Sequence, residues 1–228
     1  MSAHPSDLLD EFYAAVQSQI LIGAIKDRYS DVLEYVHANN MTDDMRLAKG
    51  RVKRLRDEIA PAMHFLRCQT GDSDSVQFPL DDGPIDCTVF YSAGSKRQIQ
   101  ITGAQRRERL NLMTELNQNP KGIGRGYLGV TDDRPTVEFQ GAMAKGRIMY
   151  STTGAQSTLC HAVSLCLERK KDPKGADTLL IEAPLNVLPV ARVEEILPTL
   201  EGKAVLSAFQ EIFLVGDGER TPECYKLK

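Results

Sequence analysis

The spacing of apolar residues changes once along this chain, from a helical period to the alternation that is typical of β-strands. Before residue 71 apolar residues recur every three or four positions, which is the period of a helix that packs on one face. After residue 73 they alternate with polar residues, and clusters of Asp, Gly, Pro and Ser interrupt them twice. The alternating runs lie at residues 75–80, 85–91 and 97–102, and the turns lie at residues 81–84 and 92–95. This pattern predicts an antiparallel meander of three strands that follows a helical region.

Two helices are predicted before the meander. The first covers residues 5–36, and the second covers residues 42–63, with an acidic first turn and a bend at Pro61. We therefore expect a helical N-terminal extension over residues 1–42 and an α/β domain over residues 43–228.

The carboxyl part of the chain alternates helices with apolar strands. Helices are predicted at residues 104–117, 155–169 and 190–197, and strands at residues 127–130, 136–139, 147–150, 178–182 and 211–215. A helix between two mostly apolar strands is typical of a parallel crossover, in which helices cover both faces of the sheet. The fold class that we expect is therefore α/β, with a mixed sheet.

Composition excludes several classes of protein. A chain of 228 residues with 42% hydrophobic residues can bury a large core, which excludes a disordered or fibrous protein. Its 28 Lys and Arg nearly balance its 31 Asp and Glu, so any nucleic-acid-binding surface has to be local. Five cysteines without a CxxC pair argue against a disulfide framework or a zinc site. The longest early apolar run is too short to span a bilayer, and we expect a cytoplasmic protein without a membrane partner.

Four short segments, taken together with the predicted order of helices and strands, resemble parts of a known fold. They are residues 84–87 (PIDC), 97–102 (RQIQIT), 177–181 (DTLLI) and 209–216 (FQEIFLVG). With these segments in place, the chain resembles the restriction-endonuclease-like fold of the PD-(D/E)XK nuclease superfamily over roughly residues 43–218. The resemblance implies a restriction-endonuclease-like core with an added N-terminal helical region.

The resemblance also implies a function and a site. Members of the superfamily hydrolyse phosphodiester bonds with Mg²⁺, using an Asp from the second strand and an acid and a Lys two residues apart on the third. In this chain Asp86 matches the Asp, Gln100 stands at the position of the acid, and Thr102 stands at the position of the Lys. These three are the predicted catalytic residues, and Asp86, Gln100 and Glu58 are the predicted Mg²⁺ ligands.

Two departures from the superfamily pattern leave catalysis open. An amide at Gln100 removes one negative charge from the ligand set, which weakens Mg²⁺ binding, and Thr102 cannot supply the positive charge of a Lys. Lys96, Arg106 and Arg107 are candidate substitutes for that charge. The chain is therefore expected to be either a metal-dependent endonuclease or a catalytically inactive module that binds DNA or a partner protein.

Basic residues cluster at two places that flank the predicted site. We expect them to bind the phosphates of DNA, and the alternative is that they form solvated surfaces balanced by acids such as Asp57. The predicted nucleic-acid-binding residues are Lys53, Arg54, Arg56, Lys96, Arg106 and Arg107.

The N-terminal helices carry more apolar residues than one thin layer of a domain needs. These residues are Leu8, Phe12, Val16, Ile25 and Tyr29. They predict a surface for a homodimer or a partner protein.

Overall fold

The described part of the chain forms one mixed sheet of seven strands with helices on both faces. This is a computed structural model, and it describes residues 7–118, 128–144, 151–217 and 224–228. The strands are β1 Ile20–Leu21, β2 Ser75–Gln77, β3 Cys87–Phe90, β4 Lys96–Gly103, β5 Thr178–Ala183, β6 Glu211–Gly216 and β7 Cys224–Lys226. They lie in the sheet in chain order. The β4–β5 and β5–β6 pairs are parallel and all other pairs are antiparallel, so the prediction of a mixed α/β fold is confirmed.

Two groups of helices cover the two faces of the sheet. The helices are α1 Leu8–Gln17, α2 Ile22–Ala38, α3 Thr42–Arg46, α4 Ala60–Gln69, α5 Arg106–Gln118, α6 Thr136–Ala144, α7 Thr152–Arg169, α8 Val190–Glu194 and α9 Leu197–Ala204. One core lies between the sheet and α1, α2 and α4, and the other lies between the sheet and α7, α8 and α9. Across the described residues, no helix has the length and apolar character needed to cross a membrane.

Strand β5 illustrates why the carboxyl strands consist of continuous apolar residues in the sequence. All six of its residues are buried, because Leu180 faces the first core while Leu179 and Ile181 face the second. A strand that is covered on both faces has no solvent side on which polar residues would be favoured.

The two predicted N-terminal helices are both interrupted. The continuous helix over residues 5–36 is wrong, because β1 separates α1 from α2. Ile20 pairs with Val76 in the sheet, and the Ile22 N–H donates to the Asp74 carbonyl over 2.9 Å. This tertiary pairing replaces helical hydrogen bonds at a point where the apolar spacing alone continues a helix.

The second helix, predicted over residues 42–63, is also wrong as a single element. Ala48 and Gly50 have φ angles of 50° and 54°, a conformation that ends a helix. The chain then passes through a π-helical turn at Leu55–Ile59 into α4. Pro61 therefore lies at the second residue of α4, directly after the π-helical turn.

The strand predicted at residues 136–139 is wrong, because this segment belongs to α6. Phe139 and Met143 are spaced four apart and pack together with Leu128 and Val130, which is the contact of a helix face. The strand predicted at 147–150 lies outside the described residues, as does Tyr127 of the predicted strand 127–130, whose other residues are irregular.

The apolar residues of α1 and α2 belong to the core. Phe12, Val16, Ile25 and Tyr29 are at most 3% exposed and pack in the same cluster as α4 and the sheet, and Leu8 packs against that cluster half-buried. The interpretation of these residues as a partner surface is therefore wrong.

Asp7 caps α1 and ties it to the turn before α4. Its carboxylate accepts from the Leu9 N–H over 3.0 Å and from Arg51 over 2.7 Å. We expect Asp7→Ala to lower the free energy of unfolding by about 1 kcal/mol, the usual value for a lost cap. Asp10→Ala, which removes only an exposed ion pair with Arg51, should lower it less. Urea unfolding of the three proteins measures both effects.

The contribution of Asp7 should also depend on pH. The hydrogen bond from Arg51 holds the pKa of Asp7 below its ordinary value. A carboxyl group with a lowered pKa in the folded state stabilises the fold above its unfolded pKa, and loses that contribution as pH falls through the folded pKa. The difference between wild type and Asp7→Ala should therefore shrink below pH ~4, and a difference that grows on acidification would contradict this role.

Candidate functional site

The candidate site lies at a notch in the sheet, where β4 continues beyond the start of β3. Strand β3 begins at Cys87, which pairs with Ile99, so residues 100–103 have no partner in β3. Asp86 directly precedes β3, and its N–H donates to the Ile99 carbonyl over 2.9 Å. Its carboxylate accepts from the Ile101 N–H over 2.6 Å. Asp86 thereby replaces a strand partner and lies directly beside Gln100.

Gln100 supplies a buried oxygen at this notch. Its neighbours Ile99 and Ile101 pack in the core under α1, α2 and α4, so alternation along the strand turns Gln100 toward the face that α7 covers. The side chain is 7% exposed, and its Oε1 has no hydrogen-bond partner among the described residues. Since an unsatisfied buried acceptor costs about 1–3 kcal/mol, this atom indicates that a cation or a donor binds here.

The charges around Asp86 differ in sign. Burial raises the pKa of Asp86, while the Ile101 N–H and the positive charges of Lys170 and Arg54 oppose this shift. The two cations therefore offset part of the cost of burying this carboxylate. Lys170 was not among the residues predicted from the sequence, and its only signal there is the basic run that ends α7.

Glu58 approaches the notch from the other face of the sheet. It lies on the π-helical turn that leads into α4, is 7% exposed, and forms an ion pair with Arg54. Burial raises the pKa of Glu58, the hydrogen bond from Arg54 opposes this, and the charge of Asp86 adds to it. The structure therefore brings Asp86 and Gln100 together, and places Glu58 near them with its charge already compensated.

Thr102 lies two residues beyond Gln100 at the carboxyl end of β4. Its hydroxyl is hydrogen-bonded to the thiol of Cys166 on α7. It also lines a cleft together with Asp57, Arg106 and Glu182. Of the three predicted catalytic residues, only Thr102 lines this cleft, and Asp86 and Gln100 lie farther back along the same strand edge.

The oxygen donors at the notch fit a Mg²⁺ ion that is held by few protein ligands. No group of three or more His, Cys, Asp or Glu side chains is placed to hold a metal within the described ranges. The available donors are the Asp86 carboxylate and the unpartnered Gln100 Oε1, with Glu58 on the far side. Mg²⁺ keeps several waters and is usually bound by one or two carboxylates plus substrate phosphates, so a two-ligand notch is compatible with it.

Most of the predicted DNA-binding residues are already engaged within the fold. Their partners are Asp57 for Lys53 and Arg106, Glu58 and Asp82 for Arg54, and Glu182 for Arg56. Arg107 donates to the Arg134 carbonyl over 2.8 Å and lies over the Phe139 ring. Lys96 is exposed at the opposite end of β4 from Thr102. The alternative of basic residues balanced by acids therefore describes these contacts well.

A second polar cluster lies at the carboxyl ends of β5 and β6. Glu182 accepts from Arg56 over 3.0 Å and from Arg109 over 2.7 Å. Asp217 lies nearby, and its Oδ1 is buried without a partner among the described residues. Both acids line a cavity of about 340 Å³ with the apolar side chains of α5. The sequence did not indicate this cluster.

Asp217 should make stability depend on pH. Burial raises the pKa of Asp217 to about 6, and the charge of Glu182 adds to the shift. A carboxyl group with a raised pKa stabilises the fold only when protonated, so its contribution falls as pH rises from about 4 to about 6. The free energy of unfolding of Asp217→Asn should therefore rise relative to that of wild type as pH increases over this range. The rise is up to about 1.4 kcal/mol for each unit by which folding raises the pKa of Asp217. Urea unfolding at pH 4 and pH 7.5 measures the gain, and an equal difference at both pH values would contradict it.

Comparison with known proteins found no matching family model, no matching curated protein and no matching solved structure. Function therefore has to be inferred from the residues of the site and their geometry.

Proposed function

We propose that this chain is a divergent nuclease-fold protein that hydrolyses phosphodiester bonds of DNA with Mg²⁺ at the notch between β3 and β4. The observation that carries the proposal is the buried Gln100 Oε1 beside Asp86, which has no hydrogen-bond partner among the described residues. An acid and an oxygen donor from adjacent strands form a ligand set suited to a hard cation.

The order of elements supports the same proposal. Helix α4 precedes the antiparallel strands β2, β3 and β4, and α7 then leads to the parallel strand β5. This order is the one expected from the resemblance to the PD-(D/E)XK superfamily. Asp86 stands directly before the second strand of this meander, and Gln100 and Thr102 stand on the third, at the positions where the superfamily has its Asp, its acid and its Lys.

Each residue of the notch has a distinct task in this proposal. Asp86 offers a carboxylate whose position the Ile101 N–H fixes, and Gln100 offers its amide oxygen. The Thr102 hydroxyl can position a water molecule by a hydrogen bond. A Mg²⁺ ion held here would polarise the phosphoryl oxygen and lower the pKa of bound water.

A cleavage assay tests the proposal directly. The full chain is incubated with supercoiled, linear and branched DNA in Mg²⁺ or Mn²⁺, with EDTA as the control, and Mg²⁺ binding is followed by calorimetry. We expect cleavage that requires the divalent cation. Metal-independent cleavage, or a chain that neither binds Mg²⁺ nor cuts DNA, would overturn the proposal.

The second candidate is a catalytically inactive module that binds DNA or a partner protein. The compensated charges favour it, since Arg54 is paired with Glu58 and Arg106 is paired with Asp57. In that case Asp86 serves only as the hydrogen-bond partner of Ile101. Tight Mg²⁺ binding that is lost in Asp86→Ala would count against this candidate.

A further inference from the structure

Lys170 lies at the carboxyl end of α7, on the face of the sheet to which Gln100 turns. We propose that the Lys170 ammonium binds the substrate phosphate at the notch and supplies the positive charge that Thr102 cannot. This inference rests on the proposed function, and it names a catalytic residue that the sequence pattern did not indicate.

Backbone and side-chain contacts on either side of Lys170 fix its position along β4. Cys166 on α7 contacts the Gly103 carbonyl over 3.7 Å, near the carboxyl end of β4. The Asp177 N–H, farther along the chain, donates to the Gln98 carbonyl over 3.0 Å. The chain thus runs antiparallel to β4 between these two contacts, and Lys170 lies between them. Its N–H donates to the Cys166 carbonyl over 3.0 Å, which places Lys170 one helical turn beyond Cys166, toward Gln100.

Two cations act on the Asp86 carboxylate, and only one of them is available to a substrate. Arg54 is held by Glu58, by Asp82 over 2.8 Å and by the Asp81 carbonyl over 2.7 Å. Lys170 is half-buried and forms no ion pair in the part of the chain that the structure describes. Its charge reaches Asp86 and Cys166. Among the described residues, Lys170 is therefore the cation near Asp86 that no acid compensates.

The chemistry of hydrolysis makes use of such a cation. The oxygen of water bonds to phosphorus and gives its proton to solvent, while the bond to the leaving oxygen breaks and that oxygen takes a proton from solvent. Negative charge on the phosphoryl oxygens has to be stabilised throughout, and a fixed positive group in a partly buried site does so without reorganising. Lys170 performs this task by charge alone and transfers no proton.

Two variants of Lys170 and a neighbouring control test the inference. Lys170→Ala should lower kcat/KM for DNA cleavage by about 100-fold, as for the loss of one stabilising donor in an active site, whereas Lys170→Arg should retain most of the activity. Lys171→Ala removes an exposed charge from the next residue and should cleave like wild type.

Mg²⁺ affinity, measured by calorimetry, separates a catalytic role from a structural one. Removing a cation near Asp86 should leave Mg²⁺ binding in Lys170→Ala as tight as in wild type, or tighter. Structural damage to the notch would weaken Mg²⁺ binding. Weaker Mg²⁺ binding together with slower cleavage in Lys170→Ala would therefore overturn the catalytic role of Lys170.

The remaining outcomes distinguish this inference from the proposed function. If wild type cleaves DNA and Lys170→Ala cleaves equally fast, the inference fails and the proposed function stands. If wild type neither binds Mg²⁺ nor cleaves, the proposed function fails, and the affinity for a short DNA duplex in EDTA decides the inference. Weaker binding by Lys170→Ala than by Lys171→Ala would support Lys170 as a phosphate ligand, and equal binding would overturn it.

Discussion

Asp86→Asn should lower Mg²⁺-dependent DNA cleavage by about 100-fold or more, because it removes the one negative charge that the notch offers directly to the metal. Asparagine keeps an oxygen that can accept from the Ile101 N–H, a bond of 2.6 Å in the native chain. The junction of β3 and β4 should therefore persist. Cleavage rates and calorimetric Mg²⁺ titration measure the loss.

Two further variants make the result specific. Asp82→Asn changes the same chemical group on the preceding turn, where the side chain is fully exposed, and should leave cleavage unchanged. Asp86→Ala removes the acceptor as well as the charge, so it should lower stability in addition to activity. Asp86→Asn with wild-type cleavage would remove Asp86 from the proposed site, whatever its effect on folding.

Glu182→Leu should lower the free energy of unfolding by about 3 kcal/mol or more, the range found when one partner of a buried ion pair is removed. Glu182 is 7% exposed at the end of β5 and is shared by Arg56 and Arg109. Only 11% of the Arg56 side chain is exposed. Without the carboxylate, the Arg56 guanidinium stays buried without its ion-pair partner. The free energy of desolvating this charge is then no longer offset by an ion pair.

The matched control is an ion pair of the same type on the surface. Arg192 and Glu195 are about half exposed, so Glu195→Gln should change the free energy of unfolding by less than about 1 kcal/mol. Both variants are compared with wild type by urea unfolding at neutral pH. Equal, small effects at Glu182 and Glu195 would show that the buried cluster contributes no more than a surface pair.

The meander could be predicted from the sequence because the residues that determine its strands and turns are close together in the chain. Turn residues at 81–84 and 92–95 stop the strands, and alternation places Ile99 in the core. The interruption between α1 and α2 could not be predicted, because the apolar spacing continues through it. What breaks the helix is the pairing of Ile20 with Val76, a contact between residues far apart in the chain.

The same distinction applies to the candidate site. The proximity of Asp86 and Gln100 follows from strand order and a short turn, so spacing alone could indicate it. Lys170 could not be found this way, since it reaches the notch only through the packing of α7 on β4. Asp217 was missed for a similar reason, because its burial depends on the cavity beside α5 and not on its own neighbours in sequence.

The strand order described above has a consequence for how the chain folds as it is synthesised. Each strand pairs with the strands next to it in the chain, so the sheet can grow at one edge without inserting a strand between two that are already paired. The longest delay separates β4 from β5, since residues 104–177 must be made first. During that interval the free edge of β4 is exposed to other chains, as unpaired edges are in aggregation. The strand that carries Gln100 is therefore the one most in need of protection before folding is complete.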